Sequence, residues 1–560
     1  MGVESGLGWF GACLANLVRD VRGSVSVIGV FALVALVGIA ALSIELGQGY
    51  RAKLALQGAA DAAALGAAHA YAASPTELIL NATAEDVARA NGLAIGNVSV
   101  FHRPNYSSTV PDAVEVQLRT SIPLFFARIF SAETSYGVSV SAVASLPTET
   151  TPPCILALAN SGGLTLSGGT SLSASHCAVV SNSSISVTGG STLTAKSTLS
   201  SGASSASGGS RLSAETITYG TTVSGVTGKT VRQANSTSDP LASNAALTAA
   251  FDRLGMSTTP VMPSGTYEDL TLGYNPTTMT FQGHVGTLTG DNVWHFPAGD
   301  YKIRALNVGS LKLVIEGPST ISVSSGVTVG GGGGIAFGDG DVTVKGAMVI
   351  GGGANVSFGA GAHVIGSDGA GKAIELGGGS TLSFGDGPFS ADGAIVTVGG
   401  TTLTFGATAN HYINGNLTLA GSSIFGAGTY TINGNFTNGT GGAMTGSNVS
   451  FILAGTLNLA GGTSMNVAAP GSNSGTGIAD ILFATRSTAA TVLGGGAQTI
   501  LSGVVYAPNS DVSMSGGVSA SGNCFSLIAR TIKIESGPTA ATACPTLGSG
   551  GLSGSVGLIR

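Results

Sequence analysis

Residues 402–438 read TLTFGATANHYINGNLTLAGSSIFGAGTYTINGNFTN and contain the same short pattern twice. In each copy, β-branched and apolar runs alternate with glycine-containing turns, as short strands do. Phenylalanines at 358, 384, 405 and 425 extend the pattern in steps of 26, 21 and 20 residues. Isoleucines at 413, 432 and 452 form a second series, in steps of 19 and 20. Such a period indicates a solenoid, because a single turn cannot bury its apolar face alone.

The repeat predicts the fold of most of the chain. Glycine, serine, threonine and asparagine dominate beyond about residue 154, and only 9% of all residues are charged. A disordered low-complexity tract has a similar composition, but regular apolar punctuation favours a folded repeat. We expect a mainly β, right-handed parallel β-helix or solenoid at residues 154–545, with an irregular loop or cap near residues 230–305. The expected internal stack is Phe358, Phe384, Phe405 and Phe425, and the expected asparagine ladders are Asn414 with Asn433 and Asn416 with Asn435.

Four cysteines in the repeat region form two sequence-local pairs, in addition to Cys13 near the N-terminus. Cys154 and Cys177 are 23 residues apart, and Cys524 and Cys544 are 20 residues apart, which is about one turn in each case. Four cysteines allow three pairings, of which local pairing is favoured, and these spacings match no zinc-binding pattern. We expect each disulfide to staple one end of the solenoid, where a terminal turn lacks a neighbour.

Residues 25–44, VSVIGVFALVALVGIAALSI, form a charge-free apolar run that Glu45 ends. A helix of that length spans about 30 Å, the thickness of the hydrocarbon core of a bilayer. A cleavable signal peptide is the alternative, but its apolar region is normally only about 7–15 residues long. The run therefore predicts one uncleaved transmembrane helix at residues 23–47, after a leader at residues 1–22. Flanking basic residues are nearly balanced, so we place the N-terminus in the cytoplasm and the bulk outside on the cysteine distribution.

The apolar run continues into an alanine-rich segment, residues 48–75, without a break. Its composition favours a helix that Pro75 ends, and we interpret it as a stalk. Small residues recur at spacings of three and four, which predicts a stripe for close packing against other helices. The abundance of alanine in this chain is the alternative explanation. The candidate packing residues of anchor and stalk are Gly29, Ala32, Gly38, Leu54, Gly58, Ala62 and Leu65.

Residues 76–147 predict a small α+β domain. AEDVARANGL (84–93) has the acidic start and Asn-Gly end of a helix, and three later segments alternate as strands do. IPLFFARIF (122–130) is densely apolar; we expect it to pack under the strands, with contact to a membrane surface as the alternative. TETTPP (148–153) is a predicted linker, and residues 546–560 are a predicted flexible tail.

The segment from Arg22 to Ala68, RGSVSVIGVFALVALVGIAALSIELGQGYRAKLALQGAADAAALGAA, resembles the N-terminal segment of the TadE/TadG-like proteins of Flp, or tight-adherence, pilus machinery. In that family a basic leader, one membrane helix and a helix of the form R-x-x-L-Q-x-A-A-D-A-A-A-L-A follow one another. The resemblance fades towards residue 146. It implies a single-pass protein of the bacterial inner membrane with a periplasmic bulk, whose N-terminal helix contacts pilus or secretion assembly proteins. The matching positions are Arg22, Gly23, Glu45, Leu46, Gly47, Arg51, Leu54, Gln57, Ala60, Asp61, Ala62, Ala63, Ala64 and Leu65.

No pattern in the sequence predicts a catalytic, cofactor-binding or metal-binding site. The best acidic group is Asp339, Asp341, Asp386 and Asp392, but these residues lie in glycine-rich turns, where aspartate is common. Parallel β-helices also include enzymes that act on polysaccharide, and this is the alternative function. A net charge of -6 without a basic stripe argues against nucleic acid. We therefore expect a non-enzymatic spacer or adhesive surface, for which surface polysaccharide is a candidate partner beside the membrane and the assembly proteins.

Overall fold

The computed structural model describes most of the chain, and the statements below concern that part. The chain divides into two compact units, Met1–Glu149 with Ser553–Arg560, and Thr150–Leu552. The predicted leader at residues 1–22 lies outside the described residues. Those residues are 24–73, 76–93, 97–104, 106, 112–129, 132–146, 151–233, 236–256, 259–439, 441–459, 464–472, 474–494, 499–515, 518–519, 524–535, 537–547 and 558–559.

The first unit consists of two helices and a small antiparallel sheet. Helix α1, Ser24–Ala73, is a single 50-residue helix. Helix α2, Glu77–Ala90, begins at Thr76, whose side chain accepts a hydrogen bond from the Ile79 N–H group as an N-cap. Strand β2, Asp112–Pro123, lies between β1, Val98–Pro104, and β3, Ser135–Ser145. A one-turn 3-10 helix, Ala127–Ile129, lies between β2 and β3.

The C-terminal strand Leu558–Ile559 adds to the free edge of β3, with Val143 opposite Ile559. The prediction of a flexible tail at residues 546–560 is therefore wrong for this strand. It is also wrong for Thr546 and Leu547, which belong to a 3-10 turn, Pro545–Leu547, in which Leu547 is buried. Leu558 and Ile559 pair with β3, and Leu547 is buried within the solenoid unit. Composition alone does not predict these tertiary contacts.

The second half of α1 forms the core of this unit rather than a free-standing stalk. It packs on α2 and on the inner face of the sheet, and Gly49 permits the close approach, since a Cβ there would overlap the Tyr136 hydroxyl. The Gln57 side-chain amide donates to the Ser141 carbonyl of β3 at 3.1 Å. The buried apolar side chains of the helix are those of Leu56, Ala59, Ala60, Ala63, Ala64, Ala67 and Ala68.

The second unit is a β-solenoid of about 17 turns over residues 153–535, which confirms the predicted fold class. Each regular turn contributes three short strands, and each strand pairs in parallel with its equivalents in the turns before and after it. The turns therefore build three parallel sheets, and long strands such as Thr499–Ser515 bend through a corner and serve more than one sheet.

The strands of the first sheet carry the face that is crossed by the segment described below. They are Pro153–Ala157, Ser171–Ser181, Thr192–Ser200, Arg211–Tyr219, Val226–Arg232, Asp300–Val308, Thr320–Val323, Val342–Val344, His363–Ile365, Phe389–Ala391, Asn410–Ile413, Gly428–Ile432, Val449–Leu453, Ile481–Thr485, Thr499–Ser515 and Phe525–Glu535.

The other two sheets follow the same order of turns. The second contains Leu164–Ser167, Ile185–Val187, Ser204–Ala206, Val223–Ser224, Glu268–Thr271, Val327–Val329, Met348–Ile350, Lys372–Leu376, Ala394–Thr397, Leu417–Leu419, Phe436–Asn438, Leu457–Leu459 and Thr491–Gly494. The third contains Val293–Phe296, Lys312–Ile315, Gly334–Phe337, Asn355–Phe358, Thr381–Ser383, Thr402–Thr404, Ser422–Phe425, Met444–Gly446, Met465–Ala468, Val518–Ser519 and Pro538–Ala540.

The order of turns in the stack differs from their order in the chain. The first turn in sequence, residues 153–167, stacks on the last, residues 525–540, with Ile155 opposite Leu527 and Leu164 opposite Ile532. From this junction, the turns up to Val226–Arg232 extend in one direction. The turns that begin at Glu268–Thr271 approach it from the other. Both ends of the stack are thus formed by internal parts of the sequence.

The region near residues 230–305, predicted as one irregular insertion, contains two different structures. Residues 236–256, the strap, run outside the first sheet and include helix α3, Ala245–Phe251. Residues 268–308 form the terminal turns of the stack, with an antiparallel hairpin of Thr278–Phe281 and His284–Leu288. Trp294 is only 1% exposed in this region, so it belongs to the core and not to a loop. Prolines and a helical segment interrupt the sequence period here without ending the stack.

The strap covers apolar side chains that point outward from the first sheet. Phe251 and Leu247 of α3 pack in one buried cluster with residues from several turns on both sides of the junction, including Leu156, Ile452 and Ile528. The Tyr506 hydroxyl donates a hydrogen bond to Asp239 at 2.7 Å. The outer face of the first sheet is therefore internal to the unit along this stretch.

The predicted internal stack is present. Phe384 is 4.8 Å from Phe358, 6.0 Å from Phe405 and buried, and Phe405 is 5.6 Å from Phe425, all as distances between ring centroids. The Asn433 amide donates to Asn414 at 3.1 Å, as a ladder requires. The second ladder uses the backbone, because Asn416 accepts from the N–H group of Asn435 at 2.8 Å.

Candidate functional site

The first half of α1 presents apolar side chains to its surroundings on every side. Phe31 is 71% exposed and Leu36 is 65% exposed, and the apolar side chains from Val27 to Ile44 have few contacts within the protein. By length and composition, α1 is the one helix among the described residues that is able to span a membrane. A water-soluble surface does not normally carry a continuous apolar area of this size, whereas lipid tails solvate it.

Glu45 fixes the end of the apolar run to a loop of the first unit. The part of that unit beyond the apolar run, residues 45–146 with Leu558–Ile559, is called the small unit below. The Oε1 atom of Glu45 accepts hydrogen bonds from the N–H groups of Phe125 at 2.7 Å, Phe126 at 2.5 Å and Ala127 at 3.1 Å. Oε2 accepts a further bond from Ala127 at 3.2 Å. Glu45 is 8% exposed, and a buried carboxylate is normally stabilised by such donors.

The loop that Glu45 holds, residues 124–127, is not packed as predicted. Phe125 is 62% exposed and Phe126 is 43% exposed, so these rings do not lie under the strands. The backbone of the loop turns inward to reach the carboxylate, and the rings are left outside. Phe130 lies outside the described residues. The sequence signal for this contact was the first charge after the apolar run, but nothing in the pattern connected it to residues 80 positions later.

Leu54 and Gly58 of the predicted packing stripe lie away from the core of the small unit, whereas Leu65 packs against it. Leu54 is 57% exposed, and a Cβ at Gly58 would meet nothing within 4 Å. Gly29, too, has open space around it, while Ala62 and Leu65 are half-buried. The residues that face the core lie on a different side of the helix from Leu54 and Gly58 of the predicted stripe. They begin with Leu56, Ala59 and Ala60 and continue at spacings of three and four residues. The remaining predicted residues, Ala32 and Gly38, lie in the apolar half, where Gly38 also has no neighbour within 4 Å.

The acidic residues singled out in the solenoid bind the backbone of the next turn. Asp339 accepts from the N–H group of Ala360 at 2.8 Å, and Asp386 accepts from that of Ala407 at 2.7 Å. Asp341 makes the same bond to the following turn, and Asp392 accepts from the Asn414 amide. Each carboxylate therefore joins two turns. The described residues contain no cluster of His, Cys, Asp or Glu able to hold a metal ion.

The cysteines form the two local disulfides, Cys154 with Cys177 and Cys524 with Cys544. Their place in the stack is not the predicted one. The first links turns 153–167 and 171–181, and the second lies in the last turn of the sequence, so both flank the junction in the interior of the stack. The expectation that they staple the two ends is wrong, because the first and last turns of the sequence are neighbours.

The solenoid contains a buried histidine, His411, that the sequence pattern does not single out. His411 pairs with Phe389 of one neighbouring turn and with Tyr430 of the other, so it belongs to a column of aromatic side chains at equivalent positions. Its ring is parallel to that of Tyr430, with 4.0 Å between the ring centroids. Burial lowers the pKa of His411 to about 3. Neither ring nitrogen has a hydrogen-bond partner in the described part of the chain, so the histidine serves as an uncharged aromatic group.

Comparison with known proteins places the N-terminal segment. Residues 23–70 match the family model described as Flp pilus-assembly TadE/G-like. The matched range coincides almost completely with α1, and it contains the apolar run, Glu45 and most of the inward alanine stripe. No curated protein and no solved structure matches the chain. The N-terminal segment is thus similar to a pilus-assembly family, and the solenoid is interpreted from its geometry.

Proposed function

We propose that this protein is a membrane-anchored structural or accessory component of a Flp/Tad-type pilus or a related export system. The observation that carries the proposal is the coincidence of the family match at residues 23–70 with a helix whose apolar half is exposed on all sides. The solenoid acts outside the cytoplasm as a spacer or an adhesive surface. About 17 turns at a strand spacing of about 4.8 Å give it a length of roughly 80 Å.

The orientation we propose has the N-terminus in the cytoplasm and the solenoid in the periplasm. Two disulfides favour an oxidising compartment for the solenoid, since cytoplasmic thiols are kept reduced. Cys13 is the natural probe, because the other four cysteines are paired. A membrane-impermeant maleimide should label Cys13 only after the inner membrane is opened, and Cys13→Ser should abolish the signal. Labelling of Cys13 in intact spheroplasts would show that the N-terminus lies outside the cytoplasm and would contradict the proposed orientation.

Fractionation tests the anchor itself. The full chain should sediment with the inner membrane and resist carbonate extraction, and its purified N-terminus should still contain residues 25–44. A soluble protein, or a processed chain that lacks the apolar run, would overturn the proposal.

The assembly partner is tested on the exposed stripe of α1. A Cβ at Gly58 would meet nothing within 4 Å in the described part of the chain, so Gly58→Leu should leave the fold intact and reduce co-purification with the pilus assembly proteins. Ala82→Leu, at an exposed position of α2 outside the stripe, is the matched control. Equal recovery for the two variants would show that the stripe is not the contact.

We further propose that the solenoid is not an enzyme. The carboxylates that an enzyme acting on polysaccharide would need are bonded to backbone groups of the next turn, as Asp339 and Asp386 are. Asp→Asn substitutions at Asp339, Asp341 and Asp386 keep the acceptor oxygen that joins the turns, but they remove the acid and the base. If the wild type degrades polysaccharide and the substitutions abolish this activity, the alternative function as an enzyme is supported. Unchanged adherence in the triple variant would support the spacer.

A further inference from the structure

We propose that the loop of residues 124–127 is a second membrane contact, in which Phe125 and Phe126 enter the boundary between lipid headgroups and acyl chains. This inference rests on the proposed membrane anchoring of α1. It adds that the small unit lies on the bilayer surface and is not held away from it by a stalk.

The first step concerns the height of the loop along α1. Glu45 directly follows the apolar run, and its carboxylate binds three consecutive N–H groups of the loop, from Phe125 to Ala127. Side chains of a helix tilt towards its N-terminus, which here is the direction of the apolar run. The carboxylate, and the loop with it, therefore lies level with the last turn of the segment that spans the bilayer.

The burial of α1 agrees with this placement. Ala41 lies one turn before Glu45 on the same face of the helix and is half-buried, whereas Ala32, Ala35 and Ala40 are exposed. On the next turn after Glu45, Gly49 contacts Tyr136 of β3. The small unit thus begins at the level of the last apolar turn, and the loop is its nearest part to the apolar run.

The second step concerns what the loop presents at that level. Phe125 and Phe126 expose 62% and 43% of their surface, and Leu42 and Ile44, in the turn of α1 before Glu45, are 56% and 51% exposed. The two rings add to the apolar surface that the proposed anchor exposes to lipid, and transfer of a phenylalanine from water to an apolar phase is favourable.

The third step concerns charge. Arg128 follows the two rings and is exposed, so a cation stands beside the apolar pair where lipid phosphates lie. Aromatic rings next to a basic residue are typical of segments that lie in a membrane interface. The Glu45 carboxylate faces the N–H groups of the loop, which stabilise its negative charge, whereas the Arg128 cation lies on the exposed side.

The proposed lipid contact of the loop would restrict the rotation of α1 in the bilayer. A single helix is free to rotate and tilt in a bilayer. A loop clasped to its last apolar turn, with two rings in the interface on one side, fixes that rotation. The exposed stripe of α1 through Leu54 and Gly58 would then face a defined direction in the membrane plane.

Depth measurement on the full chain tests the inference. In a Cys13→Ser background, a nitroxide is attached at Phe126→Cys, and the protein is placed in nanodiscs of phosphatidylglycerol and phosphatidylcholine. The control is the same label at Leu78→Cys, an 80% exposed position at the far end of the small unit, near the C-terminal end of α1. We expect the label at 126 to be several-fold less accessible to a water-soluble nickel reagent, and more accessible to oxygen, than the label at 78. Equal accessibility overturns the inference.

The Glu45 clasp supplies a second, independent readout. Glu45→Gln keeps an acceptor oxygen for the loop, whereas Glu45→Ala removes it, so only the alanine variant should move the label at 126 towards water. Protection that disappears when the protein is diluted in lipid would assign the loop to a second copy of the chain and overturn the lipid contact. A wild-type protein that is absent from the membrane fraction would instead defeat the proposed anchoring. The two failures are therefore distinguishable.

Discussion

Phe405→Ala should open the middle of the solenoid locally. Phe405 is 2% exposed, and its ring lies between those of Phe384 and Phe425 at 6.0 and 5.6 Å. It also meets the edge of Phe389 at 5.2 Å and of Tyr430 at 5.6 Å. Truncation of a buried phenylalanine costs about 3–5 kcal/mol, and the upper part of this range applies where neighbouring rings are held by strand pairing and cannot collapse into the space.

A stack of turns need not unfold in one step, so the effect is best measured turn by turn. Amide hydrogen exchange, followed by mass spectrometry, should accelerate at least about a hundredfold in the turns that hold Phe384 to Phe425, since every 1.4 kcal/mol is a factor of ten. The turns of residues 171–219 should be little affected. Ile424→Ala is the matched control, because Ile424 is 45% exposed on the outer face and its loss should cost about 0.5 kcal/mol or less. Equal acceleration in the two variants would refute the internal stack as the source of stability.

Three further predictions concern the solenoid. Because burial depresses the pKa of His411 to about 3, protonation favours the unfolded state, and stability present above about pH 6.5 is lost as the pH falls towards 3. His411→Phe should therefore remove about 2 kcal/mol of the loss in unfolding free energy between pH 8 and pH 5, whereas His176→Gln, at an exposed position, should leave the pH dependence unchanged. Replacing both Cys154 and Cys177 by serine should cost about 3 kcal/mol and accelerate exchange at the junction; unchanged exchange there would contradict a stabilising role. Phe251→Ala should cost about 3 kcal/mol or more and speed tryptic cleavage of the strap, and wild-type cleavage rates would show that the strap is held by other contacts.

The repeat could be predicted because its signal is local. Phe384, Phe405 and Phe425 recur at a spacing of about one turn, and a glycine follows each of them. The junction could not be predicted in this way. Ile155 pairs with Leu527 across most of the chain, and nothing in a period of about 20 residues states which turn is the neighbour of the first. The period alone predicts that turns stack in sequence order, and this prediction puts the disulfides at the ends of the stack instead of beside the junction.

The face of α1 that packs on the sheet could not be predicted for a different reason. Alanine is so frequent that two stripes of small residues exist on the helix, one through Leu54 and Gly58 and one through Leu56 and Ala60. Spacing alone does not distinguish them. The choice depends on the sheet that the helix meets, and on Gly49, which allows Tyr136 to approach. The exposure of Phe125 and Phe126 also depends on a tertiary contact, because Glu45 turns the loop backbone inward.

The junction has a consequence for how the chain becomes folded. The strand Pro153–Ala157 is synthesised before nearly all of the solenoid, but one of its two neighbours, Phe525–Glu535, is synthesised almost last. The earliest turns must wait with an unpaired edge until the final turn arrives, so folding cannot proceed simply in step with synthesis. A truncated product would keep that edge open for proteases and for pairing with other chains. The stacking order thus makes closure of the solenoid depend on synthesis of its last turn.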